Sequence, residues 1–329
     1  MRDLIRLTRP LNLLIVALTM VVMRYGVIGG LCKREFLRDF LPSSWTFNGV
    51  TYSPEFGFQL STVLFILLII STVLLMAGGN VINDYFDTRI DRVNKPTDVL
   101  VGRTVKRRVA MAGHWVLSGL GVLIGVIVAF ASHQGWLALI PVFAAGALWF
   151  YSTNLKQSLF LGNGLVATLS ALVVLQIGLY DVRMLEFAFA AIPSFDLRVL
   201  WWWIIGYTVF AFISTLLREL QKDMADVRGD AAAGCRTVPI AWGMQASRRL
   251  VAFWAILIIV AVGLLADRVF TEIASRAYLY VLVIAPILAS CILTWNARTR
   301  DQHNRAGNVM KLAMVFAVAF GAVYPWLIA

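Results

Sequence analysis

Nine long apolar stretches dominate this chain and restrict what it can fold into more than any other feature. They cover about residues 11–30, 58–80, 107–132, 135–153, 161–180, 197–217, 247–266, 277–296 and 308–328. A helix needs about 20 apolar residues to cross the hydrocarbon of a bilayer, because every backbone polar group must be satisfied within the segment. The pattern predicts an all-α polytopic membrane protein with nine transmembrane helices. Of the 329 residues, 60% are hydrophobic and 14% charged, and the mean hydropathy is +0.79, values that exclude a soluble globular enzyme and a disordered chain. Three Cys (32, 235, 291) and three His (114, 133, 303) lie far apart in the sequence, so neither a disulfide framework nor a zinc set is expected. No linker divides the chain, which predicts a single domain over 1–329. Arg2, Arg6 and Arg9 precede the first apolar run without a small-residue cleavage site, so that run reads as a retained span.

The net charge of +11 reports topology, not nucleic-acid binding. If the spans alternate in direction, 21 Lys and Arg fall on one side and 8 on the other. The positive-inside bias puts the N-terminus in the cytoplasm of a prokaryotic cell and the C-terminus outside the inner membrane. Trp201–Trp203 fits an outer interfacial belt, and Arg24 reads as a side chain snorkelling outward. The 31–57 loop, with Trp45, Phe47 and Tyr52, is a candidate outer cap.

Acidic residues are scarce and unevenly placed. Eight of the 18 fall in two segments on the cytoplasmic side: Asp84, Asp87, Asp91 and Asp98, then Glu219, Asp223, Asp226 and Asp230. Both segments contain Asp-x-x-Asp-x-x-x-Asp, offset by 139 residues. At about 100° per residue, each triplet forms one stripe on a helix face. The offset also maps Asn80 onto Glu219 and Asn83 onto Lys222. Such duplication is common in membrane folds. Three carboxylates on one face repel each other and lose hydration at a membrane boundary, so they call for a counter-cation. Mg²⁺ suits an all-oxygen site, because it takes one or two carboxylates and completes its shell with water and substrate phosphates. Two such stripes could share a diphosphate, and basic residues nearby (Arg89, Arg92, Lys95, Arg103, Arg218, Lys222, Arg228) could take the remaining phosphate charge.

With these features in view, the sequence resembles the UbiA superfamily of intramembrane prenyltransferases. The matching segments are GGNVINDYFDTRIDRVNKP (78–96) and RELQKDMADVRGD (218–230). Softer matches are Arg9-Pro10-x-Asn12, Tyr151-Ser152 with Lys156, Gly162-Asn163 and Thr237-x-Pro239. The resemblance implies helices around a central, lipid-open cavity under cytoplasmic cap loops that carry the two motifs. It implies Mg²⁺-dependent transfer of a polyprenyl group from its diphosphate to a lipid or aromatic acceptor. Asn83, Asp84, Asp87 and Asp91, with Asp223, Asp226 and Asp230, would bind Mg²⁺–diphosphate, and Asp87, Asp91, Asp226 and Asp230 would carry catalysis. Asn80, Asn83, Arg103, Tyr151, Lys156 and Lys222 would contact substrate.

Within the superfamily the motifs look most like the geranylgeranylglycerol-phosphate geranylgeranyltransferase branch, with the 4-hydroxybenzoate polyprenyltransferase branch as competitor. One departure stands out. After Asn94-Lys95-Pro96, Asp98 and Val99 replace the usual Arg-Pro, so Asp98 is set outside the site and expected to pair with Lys95 or Arg103. A cation transporter using the acidic rim is the reading from another class. It is disfavoured because the acids lie at one rim, whereas transporters place polar groups near the midplane.

Overall fold

The computed structural model describes residues 2–32, 45–47, 50–52, 58, 60–189 and 198–327. Among them, nine helices are long and apolar enough to cross a membrane: α1 (Pro10–Leu31), α2 (Thr62–Phe86), α3 (Arg107–Ala131), α4 (Gly135–Thr153), α5 (Leu161–Arg183), α6 (Arg198–Ala232), α7 (Gly243–Val269), α8 (Ile273–Asn296) and α9 (Arg300–Tyr324). Their outer faces present Val63, Leu139, Leu161, Phe253 and Ile256 to the surroundings, as a lipid-facing surface requires. The expected outer cap falls mostly outside the described residues. Its described part is an antiparallel pair, Trp45–Phe47 against Val50–Tyr52.

Two apolar clusters hold the helices together. One joins α1, α2, α3, α5 and α6 around Met23, Phe65, Ile177 and Tyr180. The other joins α6 to α9 around Leu220, Ile258, Ile287 and Phe320. Helix α6 belongs to both, so it couples the two halves. Close approaches rest on glycine, as in other membrane bundles. A Cβ at Gly26 would lie 2.6 Å from the Gly321 carbonyl oxygen, so α1 and α9 meet backbone to backbone there.

Helix α6 is longer than its apolar run. The hydropathy pattern ends near residue 217, but the helix continues to Ala232, for 35 residues in all. At 1.5 Å per residue that is about 52 Å, against a hydrocarbon core of about 30 Å. Charge ends a membrane span but not a helix, and Arg-Glu-Leu-Gln-Lys-Asp-Met-Ala-Asp are mostly good helix formers. Helix α6 stops where Gly234 takes a left-handed φ of 76° and the Cys235 N–H caps the Asp230 carbonyl at 2.9 Å.

Two expectations are corrected. Arg24 does not snorkel outward; it is 1% exposed. Its guanidinium pairs with Asp181 at 3.3 Å, donates to the Leu60 carbonyl, and stacks over Phe65 and Phe58 at 4.4 and 4.6 Å. The acid that makes burial possible comes from α5, 157 residues away in the chain, where helix packing alone could bring it. The tryptophan cluster also divides. Trp202 faces outward, but Trp203 turns inward onto Tyr207, Phe270 and Tyr324, because adjacent helical residues point about 100° apart.

Candidate functional site

The bundle encloses a cavity of about 370 Å³ between α1, α2, α4, α5, α6 and α9. Its deeper wall is largely apolar, with Leu68, Leu75, Ile140, Leu172 and Val173. Its other end carries Asn80 and Asn83 from α2 and Glu219 and Lys222 from α6. These four are the two pairs related by the 139-residue offset, so the duplicated segments present equivalent rungs to one cavity.

Helix α2 reaches this position through glycine. A Cβ on Gly79 would lie 2.7 Å from the Leu148 side chain on α4, and one on Gly78 would strike Ser118 on α3. The helix therefore lies close against both neighbours just before Asn80. It ends at Phe86, Asp87 adopts φ −74° and ψ −3°, and a short helix, Thr88–Asn94, resumes. The first aspartate stripe is thus carried by two helical pieces, whereas Asp223, Asp226 and Asp230 all ride on α6.

Four of the six aspartates have a partner from another part of the chain. Arg9 pairs with Asp84 at 2.6 Å, and Asn163 donates to Asp223 at 2.7 Å. Lys156 pairs with Asp87, and Arg300 with Asp226 at 3.3 Å. The partners follow the duplication as well. Arg9 and Asn163 lie at the starts of α1 and α5, and Lys156 and Arg300 lie at the entries to α5 and α9. Arg9 is turned toward Asp84 by a left-handed backbone, φ 56° and ψ 65°, which a residue with a Cβ seldom adopts.

Asn94 brings the ladders together. Its Oδ1 accepts from the Gly229 N–H at 2.9 Å, and its Nδ2 donates to the Asp226 carbonyl at 3.1 Å. Asp87 and Asp230 then lie near enough to interact through their charges, with Lys156 acting on both. Burial opposes the Lys156 ammonium most strongly, but the Asp87 carboxylate and Tyr151 together outweigh it and hold the lysine above its ordinary pKa. Burial likewise opposes the Arg9 charge and is outweighed by Asp84, Asp87 and Glu219. Burial pushes the Asp91 carboxyl above the usual aspartate range, against the pull of Lys95.

The donor set is all oxygen, as a hard divalent cation requires. Asn83 Nδ2 donates to Asp87 at 2.6 Å, while its Oδ1 is buried with no hydrogen-bond partner. A buried amide oxygen left open beside a carboxylate is a fit for such an ion. Among the described residues no three His, Cys, Asp or Glu side chains converge on a single point. An ion here would complete its shell from water and phosphate, as Mg²⁺ commonly does.

Tyr151, 8% exposed, lines the cavity beside Lys222 and Lys156. Arg103 is not brought to it; it is exposed and donates to the Pro96 carbonyl at 3.5 Å. The expected pairing of Asp98 with Lys95 or Arg103 is not formed among the described residues, and Asp98 is exposed. An exposed ion pair contributes too little to hold two loop side chains together. Three polar residues at the site were not anticipated, Asn94, Arg300 and Lys311, whereas Arg218 and Glu219 had been noted in the second acidic segment without an assigned contact. For Lys311 a signal existed, a lone charge inside an apolar stretch. For Asn94 and Arg300 none did, since their partners are distant in sequence.

Comparison with known proteins follows this geometry. The UbiA prenyltransferase family model matches residues 45–315. Digeranylgeranylglyceryl phosphate synthase of Methanothermobacter thermautotrophicus is 30% identical over 267 residues, 78% of this chain and 85% of that protein. The protein of that name from Thermococcus sibiricus is 30% identical over 206 residues, 61% of this chain and 64% of that one. Among solved structures, one of digeranylgeranylglyceryl phosphate synthase aligns with a TM-score of 0.60 at 18% identity, over 98% of each chain. A UbiA homolog from Archaeoglobus fulgidus bound to GPP and Mg²⁺ aligns with a TM-score of 0.56 at 16% identity, over 98% of this chain and 100% of that one.

Proposed function

This chain belongs to the UbiA prenyltransferase family and is a multi-pass membrane prenyltransferase, and from that premise we propose that it makes digeranylgeranylglyceryl phosphate. The donor is geranylgeranyl diphosphate, the acceptor is geranylgeranylglyceryl phosphate, and Mg²⁺ is the cofactor. The observation that carries the reading is the cavity itself: an apolar chamber whose polar end is lined by Asn80, Asn83, Glu219 and Lys222, the matched positions of the two segments that carry the acidic ladders. The relatives bearing that name support it. The chain acts in the prokaryotic plasma membrane with the ladders on the cytoplasmic side and the C-terminus outside.

Asn83, Asp84, Asp87 and Asp91 in the first ladder, and Asp223, Asp226 and Asp230 in the second, are the groups that hold the metal. Bound there, Mg²⁺ neutralises charge that develops on the departing diphosphate. Lys156 and Lys222 bind the diphosphate oxygens, and Tyr151 and Asn80 orient them. The apolar walls take the isoprenoid tail and exclude water that would capture an allylic cation. The acceptor hydroxyl oxygen forms a bond to carbon 1 as the carbon–oxygen bond to diphosphate breaks, its electron pair leaving with the diphosphate. The hydroxyl proton passes to a carboxylate of the ladders.

The test is a product assay on purified protein in lipid, supplied with Mg²⁺, geranylgeranyl diphosphate and either geranylgeranylglyceryl phosphate or 4-hydroxybenzoate. Mass spectrometry should find the diether phosphate and released diphosphate. Prenylation of the hydroxybenzoate alone would overturn the acceptor assignment and move the chain to the aromatic branch.

A further inference from the structure

The cavity carries a cation for which the donor's diphosphate gives no account. Lys311 lies within α9, half-buried, and lines the chamber. Its ammonium donates at 2.5 Å to Oδ1 of Asn12 on α1. It has no carboxylate partner among the described residues, and the charged side chain that acts on it is another cation, Arg218 of α6. Around the same cavity stand Arg9, Arg218, Lys222 and Lys311, with Glu219 as the single acid among the described residues. Glu219 is already shared between Arg218, at 3.0 Å, and Lys222, at 3.4 Å. An ammonium inside a membrane span with a second cation beside it and an amide oxygen for company is costly. An anion bridging the two offsets that cost.

Most of the groups assigned to the donor stand on other elements. Asn80, Asn83, Tyr151 and Lys156 come from α2, α4 and the connector into α5, whereas Asn12 and Lys311 come from α1 and α9, and Arg218 shares α6 with one donor group, Lys222, a turn further along. We infer that Lys311 and Arg218, with Asn12 positioning the lysine, bind the phosphate monoester of the acceptor lipid. The inference rests on the proposed acceptor and deepens it. A phosphate monoester carries up to two negative charges and takes an ammonium and a guanidinium together, where a carboxylate offers one charge. The site therefore selects a phosphorylated acceptor, and through it the hydroxyl that is alkylated.

The experiment compares geranylgeranylglyceryl phosphate with the same lipid lacking its phosphate, in wild type, Lys311→Gln, Lys311→Arg and Asn12→Ala. The preference for the phosphorylated acceptor, as a ratio of kcat/KM values, should fall about tenfold or more in Lys311→Gln. It should recover in Lys311→Arg and fall less in Asn12→Ala, while KM for the prenyl diphosphate stays within about twofold of wild type. Lys311→Gln with an unchanged ratio, or with a raised donor KM instead, overturns the assignment. Should Lys311→Gln fail to fold, an unchanged ratio in Asn12→Ala overturns it. Wild type that refuses the phosphorylated acceptor altogether overturns the proposed function, and this site with it. Wild type that uses it while the variants discriminate equally well overturns the site alone.

Discussion

Asn94 and Gly229 lie 135 residues apart, yet the Asn94 side chain sits directly on the Gly229 backbone, with Oδ1 2.9 Å from its N–H. A Cβ there would run into the Asn94 amide nitrogen, so any other residue would push the Asn94 side chain off this contact. The same amide holds the Asp226 carbonyl, so one side chain fastens the end of the first ladder to the middle of the second.

Asn94→Ala should loosen that junction without unfolding the bundle. Loss of two hydrogen bonds to backbone costs on the order of 1–3 kcal/mol, which is roughly 5- to 150-fold in a site assembled by them. The Mg²⁺ concentration needed for half-maximal turnover should rise in that range. A variant with the wild-type Mg²⁺ midpoint would show that the ladders hold their spacing by other means.

Asp87→Asn and Asp226→Asn should each abolish turnover while the protein remains folded in membranes. Wild-type rates in either would remove these residues from the metal site.

Lys156→Met should lower the melting temperature, since it leaves the buried Asp87 carboxylate without its cation. The double variant Lys156→Met/Asp87→Leu should regain most of that loss, because an apolar pair of similar volume replaces the ion pair, and should stay inactive. If thermal unfolding shows no difference between the single and double variants, the pair contributes nothing to folding.

Chelation with EDTA should stop product formation, and added Mg²⁺ should restore it. The measurement is diphosphate release before and after metal addition, and undiminished release in excess EDTA would count against the ladders as a metal site.

At the opposite end of the bundle, Asp181→Asn should destabilise the protein by about 3–5 kcal/mol, because Arg24 would keep its buried charge and lose its counter-ion. Substrate KM values should stay at wild type, since neither residue lines the cavity. A changed donor KM would mean that this end of α1 and α5 communicates with the site.

Much of this was legible in one dimension because its causes are local. The apolar runs mark the spans, since a helix in lipid must be apolar along its whole length. Spacing alone places three aspartates on one face, and the 139-residue offset identifies two copies of the device. The offset even anticipates which positions line the cavity, from Asn80 and Asn83 to Glu219 and Lys222. Less legible were the ends of elements. The apolar run of α6 stops about four turns before its helix does, because hydropathy reports the solvent and not the backbone.

By itself, then, the sequence determined how many times the chain crosses the bilayer, which segments carry acid, and that the two acidic segments are alike. Only the tertiary structure decided what each acid meets. Arg9 on Asp84, Lys156 on Asp87, Arg300 on Asp226 and Asp181 on Arg24 all join residues far apart in the chain. Such pairs depend on which helix faces lie against each other. Helix packing, through contacts such as Gly26 on Gly321 and Asn94 on Gly229, decides that, and hydropathy along a single strand of sequence carries no record of it.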